Sequence, residues 1–169
     1  LTCNPIERYF GRKMLFNCIV LAQAVITALG CMFYVGMQSV DPLLLILACC
    51  ICSLNFMAMN YALVYALDNI GMAIAVIIMV IQVAGSGGSY PVHVLPEFFQ
   101  KLYNFMPFHY GMDMIRETIG GFYGHTYLRC AVILLLMCVG FAIFGLLVYY
   151  PAKPLNRLIA ESKEKSGIM

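Results

Sequence analysis

Residues 85–121 read GSGGSYPVHVLPEFFQKLYNFMPFHYGMDMIRETIGG, a Gly/Pro-punctuated, charge-bearing insert between two strongly apolar blocks. An insert of this length is uncommon in a compact domain and usually carries function. Its first part, Gly85-Ser86-Gly87-Gly88-Ser89, gives the backbone freedom as the chain leaves the preceding block. It is not a phosphate loop, because no Lys-Ser/Thr follows and Tyr90-Pro91 stands where a helix should begin. Pro96 suits a first helical position. After it, Phe98, Phe99, Leu102, Phe105 and Met106 form an apolar stripe opposite Glu97, Gln100, Lys101 and Asn104, with Glu97 and Lys101 spaced to pair. Pro107 breaks this pattern and opens a second one that stops at Gly120-Gly121. There the spacing predicts Phe108, Met112, Ile115 and Ile119 on one face and His109, Asp113, Arg116 and Glu117 on the other. A helix of ten residues rises only ~15 Å and cannot cross a bilayer. The expectation is a re-entrant or interfacial helical hairpin over about 96–120, its depth left open by the sequence.

Outward from the insert, composition sets the class. The chain is 63% hydrophobic and 11% charged, against about 45–50% and about 25% in soluble domains. The apolar residues fall in blocks near 14–37, 43–67, 70–86 and 129–150, to be compared with the roughly 20 residues a spanning helix needs. The third block is short and calls for a few Gly-rich residues or a locally thinned bilayer to complete it. The expected fold is an all-α integral membrane protein: four transmembrane helices plus an extracytoplasmic hairpin before the last, in one domain over 1–169.

Charge gives orientation. Arg8, Arg12 and Lys13 flank the first block, and Lys153, Arg157, Lys163 and Lys165 follow the last, so seven of the ten basic residues lie at the two ends. The positive-inside rule makes both ends, including the 151–169 tail, cytoplasmic and the 85–121 insert extracytoplasmic. Basic residues spent on membrane flanks leave no patch for nucleic acid. The chain begins with Leu and a polar, basic segment, Asn4–Lys13, which reads as the C-terminal piece of a longer protein.

Most of the eight cysteines lie in apolar blocks, where a thiol behaves as a small apolar residue. Cys49 and Cys52 have CxxC spacing but lack the loop context of a zinc or redox site. Pairing of Cys31 with Cys130 near the outer face is a minor alternative. His93, His109 and His125 are too far apart for a local metal motif. No cofactor is expected, and no Ser/His or metal-ligand cluster supports enzyme chemistry. Gly30 and Gly36 in the first block, and Gly140 and Gly145 in the last, are read as close-approach points between helices.

The run Ala84-Gly85-Ser86-Gly87-Gly88, then Pro91, Leu95-Pro96, Phe98-Phe99-Gln100, Pro107-Phe108, Tyr110, Arg116-Glu117 and Ile119-Gly120-Gly121, resembles the YhgE/Pip family of type-2 ABC exporter permeases. The resemblance implies a multi-pass protein of the bacterial cytoplasmic membrane, with this chain matching the last four of six spans. It also implies a hairpin capping the outer end of a translocation path, packing as a homodimer or hetero-oligomer, and ATP hydrolysis on a separate ATP-binding-cassette subunit. On this reading Asp113, Arg116 and Glu117, with His109 on the same stripe, form the outer gate. Gly85, Gly87, Gly88, Pro107, Gly120 and Gly121 let the hairpin reposition, and Arg8, Arg12 and Lys13 face the cytoplasmic partner. The alternative is a non-transporting scaffold or receptor, since relatives are associated with phage infection and type VII secretion.

Overall fold

The computed structural model describes the backbone of residues 5–87, 92–94, 96–121 and 124–166, with side chains for 11–87, 93–94, 96–121 and 124–149. Among these residues all regular structure is helical. The elements are α1 (Pro5–Phe33), α2 (Pro42–Gly85), a short 3₁₀ turn (Val92–Val94), α3 (Glu97–Tyr103), α4 (Pro107–Gly120) and α5 (Thr126–Ser166). Three helices are long and apolar enough to cross a membrane: Gly11–Phe33 of α1, all of α2, and Thr126–Tyr149 of α5.

α2 is one element by hydrogen bonding but two arms by shape. At Asp68 the backbone leaves the helical region, with φ 50° and ψ −124°. In a straight helix Met59 and Gln82 would stand about 35 Å apart, yet the Gln82 amide reaches the Met59 sulfur at 3.2 Å. The chain therefore doubles back. The fold-back is tight: a Cβ on Gly71 would lie 2.1 Å from the Leu63 carbonyl oxygen, so only glycine fits there. Met59, Leu63 and Ala75 form a small core between the arms, with Ile74 and Ile78 against it.

Many of the buried positions are alanines, packed beside a few large side chains such as Leu45, Met114 and Leu134. Ala24 and Ala28 of α1, Ala48, Ala58, Ala62 and Ala66 of α2, and Ala131 of α5 are buried. Meanwhile Met14, Ile26, Met72, Val76, Leu136 and Leu147 are exposed. Lipid solvates large apolar side chains as well as protein does, so helices gain by bringing backbones close instead of hiding leucines. Gly145 is such a point, since a Cβ there would sit 2.9 Å from both Cα and Cβ of Ala62. Gly30, Gly36 and Gly140 are not, because a Cβ on any of them meets nothing within 4 Å.

Some boundaries move. α1 ends at Phe33, short of residue 37, and Gly36 has φ 72° in the connection to α2. Apolarity persists through Tyr34–Met37, and composition cannot see where a backbone turns. α5 starts at Thr126 and continues as helix to Ser166, so most of the 151–169 tail is a helical extension. Cys31 and Cys130 are both free thiols.

Candidate functional site

Two features meet in the bundle, a cleft along α1 and α2 and the helix α4, which reaches it through Ile115. The cleft has a volume of about 1070 Å³. α1 contributes Arg12, Phe16, Gln23 and Thr27, and the first arm of α2 contributes Ser53, Asn60, Tyr61, Tyr65 and Asp68. These positions recur at helical spacing on one face of each helix. The lining of α2 from Cys49 to Asp68 spans about 28 Å, close to the thickness of a hydrocarbon core. Arg12 and Asp68 mark one mouth, and Ile115 of α4 lines the cleft as well. The Asn60 carbonyl oxygen is buried and has no hydrogen-bond partner. Near the Arg12 mouth, rings of three helices form a chain: Phe16–Tyr61 at 6.0 Å, Tyr61–Tyr65 at 6.0 Å and Tyr65–Tyr149 at 4.7 Å.

α4 lies along α2 and α5. Phe108, at its start, meets Phe56 at 5.7 Å, a level about 21 Å along α2 from Pro42. At its other end the Thr118 carbonyl accepts from the Val40 N–H at 2.9 Å, in the α1–α2 connection. Met114 packs with Ala48, Tyr127, Cys130, Ala131 and Leu134, and the Tyr127 hydroxyl donates to the Leu44 carbonyl at 2.8 Å.

The buried face of α4 differs from the expected one. It consists of Pro107, Gly111, Met114 and Thr118, together with His109, whereas Ile119 is exposed. Hydrophobic periodicity assumes that the apolar face turns inward. Here Gly111 and Thr118 turn inward beside Met114, and a Cβ on Gly111 would come 2.7 Å from the Cys52 sulfur. α3 buries none of its residues, and Phe98 and Phe105 of its expected stripe are exposed.

The predicted gate residues separate into three roles. Arg116 pairs with Asp113 at 3.5 Å and donates to the Gly87 carbonyl at 3.1 Å, tying α4 to the end of α2. Glu117 accepts the Tyr127 N–H at 2.8 Å. It therefore caps the first turn of α5, where a carboxylate meets the positive end of the helix dipole. His109 leaves the charged stripe altogether. It is buried, its Nδ1 donates to the Met106 carbonyl at 2.9 Å, and its ring stacks on Tyr103 at 4.1 Å and meets Tyr110 at a tilt at 3.7 Å.

The expected hinge glycines also differ among themselves. Gly87 and Gly121 have φ 70° and 102°, conformations that favour glycine. Gly85 is a close contact, with a Cβ there falling 2.9 Å from the Phe99 ring, while Gly120 is the last residue of α4 and Pro107 its first. Gly88 and the side chain of Arg8 lie outside the described residues. Arg12 lines the cleft, whereas Lys13 does not. Among the described residues no group of three His, Cys, Asp or Glu could hold a metal ion. The cleft itself was not read from sequence. Its signal was there in Gln23 and Asn60, two amides inside apolar blocks, but nothing in one sequence says that they line the same cleft.

Helices apolar enough to span, a short helix pair before the last of them, and a cleft with polar groups among apolar ones define a multi-pass membrane domain. The chain belongs to the ABC-2 type transporter family, whose model matches residues 3–119. It is 28% identical over 132 residues to the uncharacterized protein YhgE of Bacillus subtilis (strain 168). That match covers 78% of this chain but 17% of the relative, so the chain spans about a sixth of that protein's length. No solved structure matches the chain.

Proposed function

We propose that this chain is the membrane-permease half of an ATP-driven exporter, with the α1–α2 cleft as its share of the translocation path. The observation that carries the reading is a set of polar side chains, Arg12, Asp68, Tyr61, Asn60, Ser53, Gln23 and Thr27, that share one cleft between helices that are otherwise apolar. Polar groups at membrane depth are costly and usually mark a pathway. The two arms of α2 are separate crossings, giving four spans, and α3–α4 is a re-entrant hairpin reaching mid-membrane. The Phe108–Phe56 contact at 5.7 Å supports that depth. Both termini are cytoplasmic, so the Arg12–Asp68 mouth opens inward, and α4 forms the outer gate, latched by Arg116 on Gly87 and Glu117 on Tyr127. A second copy completes the path, and a separate ATP-binding-cassette subunit docks near Arg8, Arg12 and Lys13.

The test places a single cysteine at Asn60 of the intact protein, with native cysteines replaced by alanine, and follows labelling by a membrane-impermeant maleimide. Copurification of an ATP-binding-cassette subunit is scored in parallel. An export path predicts labelling from the cytoplasmic side that falls when nucleotide is trapped in the bound subunit. No labelling from either side, with no ATPase copurifying, would leave a non-transporting anchor and refute the export reading.

A further inference from the structure

A second cavity, of about 600 Å³, lies behind the hairpin, where the second arm of α2, α3, the start of α4 and α5 meet. This is within the range that small-molecule sites occupy. Its wall is hydrocarbon and ring, including Met59, Ile78, Met106, Met137 and Phe141, with Gln82 as the lone polar side chain. Gln82 is 3% exposed, its Nε2 meets only the Met59 sulfur at 3.2 Å, and its carbonyl oxygen has no partner. A thioether is a weak acceptor. Whichever way the amide is turned, one end rests on sulfur and the other meets nothing, although a buried amide ordinarily finds partners. At the rim, Phe105 is 78% and Phe144 46% exposed. Around them Val80 and Val83 of α2 and Leu136, Val139 and Ile143 of α5 are exposed as well, a flank suited to lipid.

We infer that this cavity binds a single-chain amphiphile from the bilayer, a hydrocarbon tail whose terminal hydroxyl hydrogen-bonds the Gln82 amide. A hydroxyl both donates and accepts, so it satisfies either orientation of that amide, which an ester, able only to accept, does not. Gln82 lies one turn from the end of α2 at Gly85, while the lining of α5 runs from Met137 to Phe144. The cavity wall on α5 is thus about 10 Å long, room for part of a tail. Entry is lateral, past Phe105 and Phe144. The site is separate from the α1–α2 cleft and does not depend on that cleft conducting anything.

The intact protein in phosphatidylcholine nanodiscs is irradiated with diazirine-bearing hexadecanol, and labelled residues are mapped by mass spectrometry. Lipid-facing Val80 serves as the internal reference. Labelling should concentrate on Met59, Met137 and Phe141 and be displaced by excess hexadecanol but not by hexadecane. Gln82→Leu should lower it about tenfold, the loss of one buried hydrogen bond, with Val80 unchanged. Gly140→Phe should block the cavity to every probe. Cavity labelling no denser than at Val80, equal displacement by hexadecane, or equal labelling by a diazirine phosphatidylcholine overturns the proposal. So does an unlabelled cavity, which would mean that protein fills it. If Gln82→Leu does not insert, the wild-type competition decides alone.

Discussion

Gly145→Ala tests the close-packed bundle most directly, because Gly140→Ala on the same helix should have the opposite sign. An alanine in a helix interior gains about 1 kcal/mol over glycine, all else equal. At Gly140 nothing lies within 4 Å of the added Cβ, so that gain should stand and the variant should be more stable by up to ~1 kcal/mol. At Gly145 the new carbon would lie 2.9 Å from Ala62 Cα and 2.9 Å from Ala62 Cβ. One of those atoms is backbone, so no rotamer change relieves it, and α5 must move away from α2. Overpacking of this kind costs about 1–3 kcal/mol. Set against the propensity gain, the net loss is about 1–2 kcal/mol at the upper end of that range. Thermal unfolding of the intact protein in detergent should separate the two variants by roughly 4–12 °C, at about 2–4 °C per kcal/mol for a domain of this size. Ala62→Gly removes one of the two offending atoms, so it should restore only part of the loss. Gly145→Ala as stable as Gly140→Ala, or no coupling with Ala62→Gly, would refute the packing argument.

The remaining predictions concern the hairpin. Glu117→Ala should destabilise by about 1 kcal/mol through the lost cap on the Tyr127 N–H at 2.8 Å. Glu117→Gln should keep the bond and lose only the smaller dipole contribution of about 0.3–1 kcal/mol, as chemical denaturation of the pair would report. Arg116→Gln should free the Gly87 carbonyl and speed amide hydrogen exchange around Gly87 with little change in global stability, because Arg116 is half exposed and such pairs contribute little.

Legibility divided along physical lines. The two short helices were read almost to the residue, with α3 and α4 falling inside 96–120, because Pro and Gly act locally on the backbone. Apolar blocks were equally plain, since bilayer thickness sets a length any composition scan can find. The face of α4 was not, because Gly111 and Thr118 are buried there, against the amphipathic rule used for water-soluble helices. Glu117 as a cap for α5 was also hidden, since Tyr127 comes near it only once α4 has packed on α5.

By itself, then, the sequence determined a membrane protein, its apolar blocks, the break at Pro107, and a motif spacing that belongs to the ABC-2 transporter family. These follow from solvation and local backbone chemistry, which each residue carries with it. Only the tertiary structure decided that Gly71 packs against the Leu63 carbonyl at the fold-back and that Gly145 meets Ala62. It also put Arg116 and Glu117 on different helix ends and His109 against two tyrosines. Those outcomes depend on which faces meet across the bundle, and helix–helix contact in lipid is selected by close backbone approach, not by hydrophobicity.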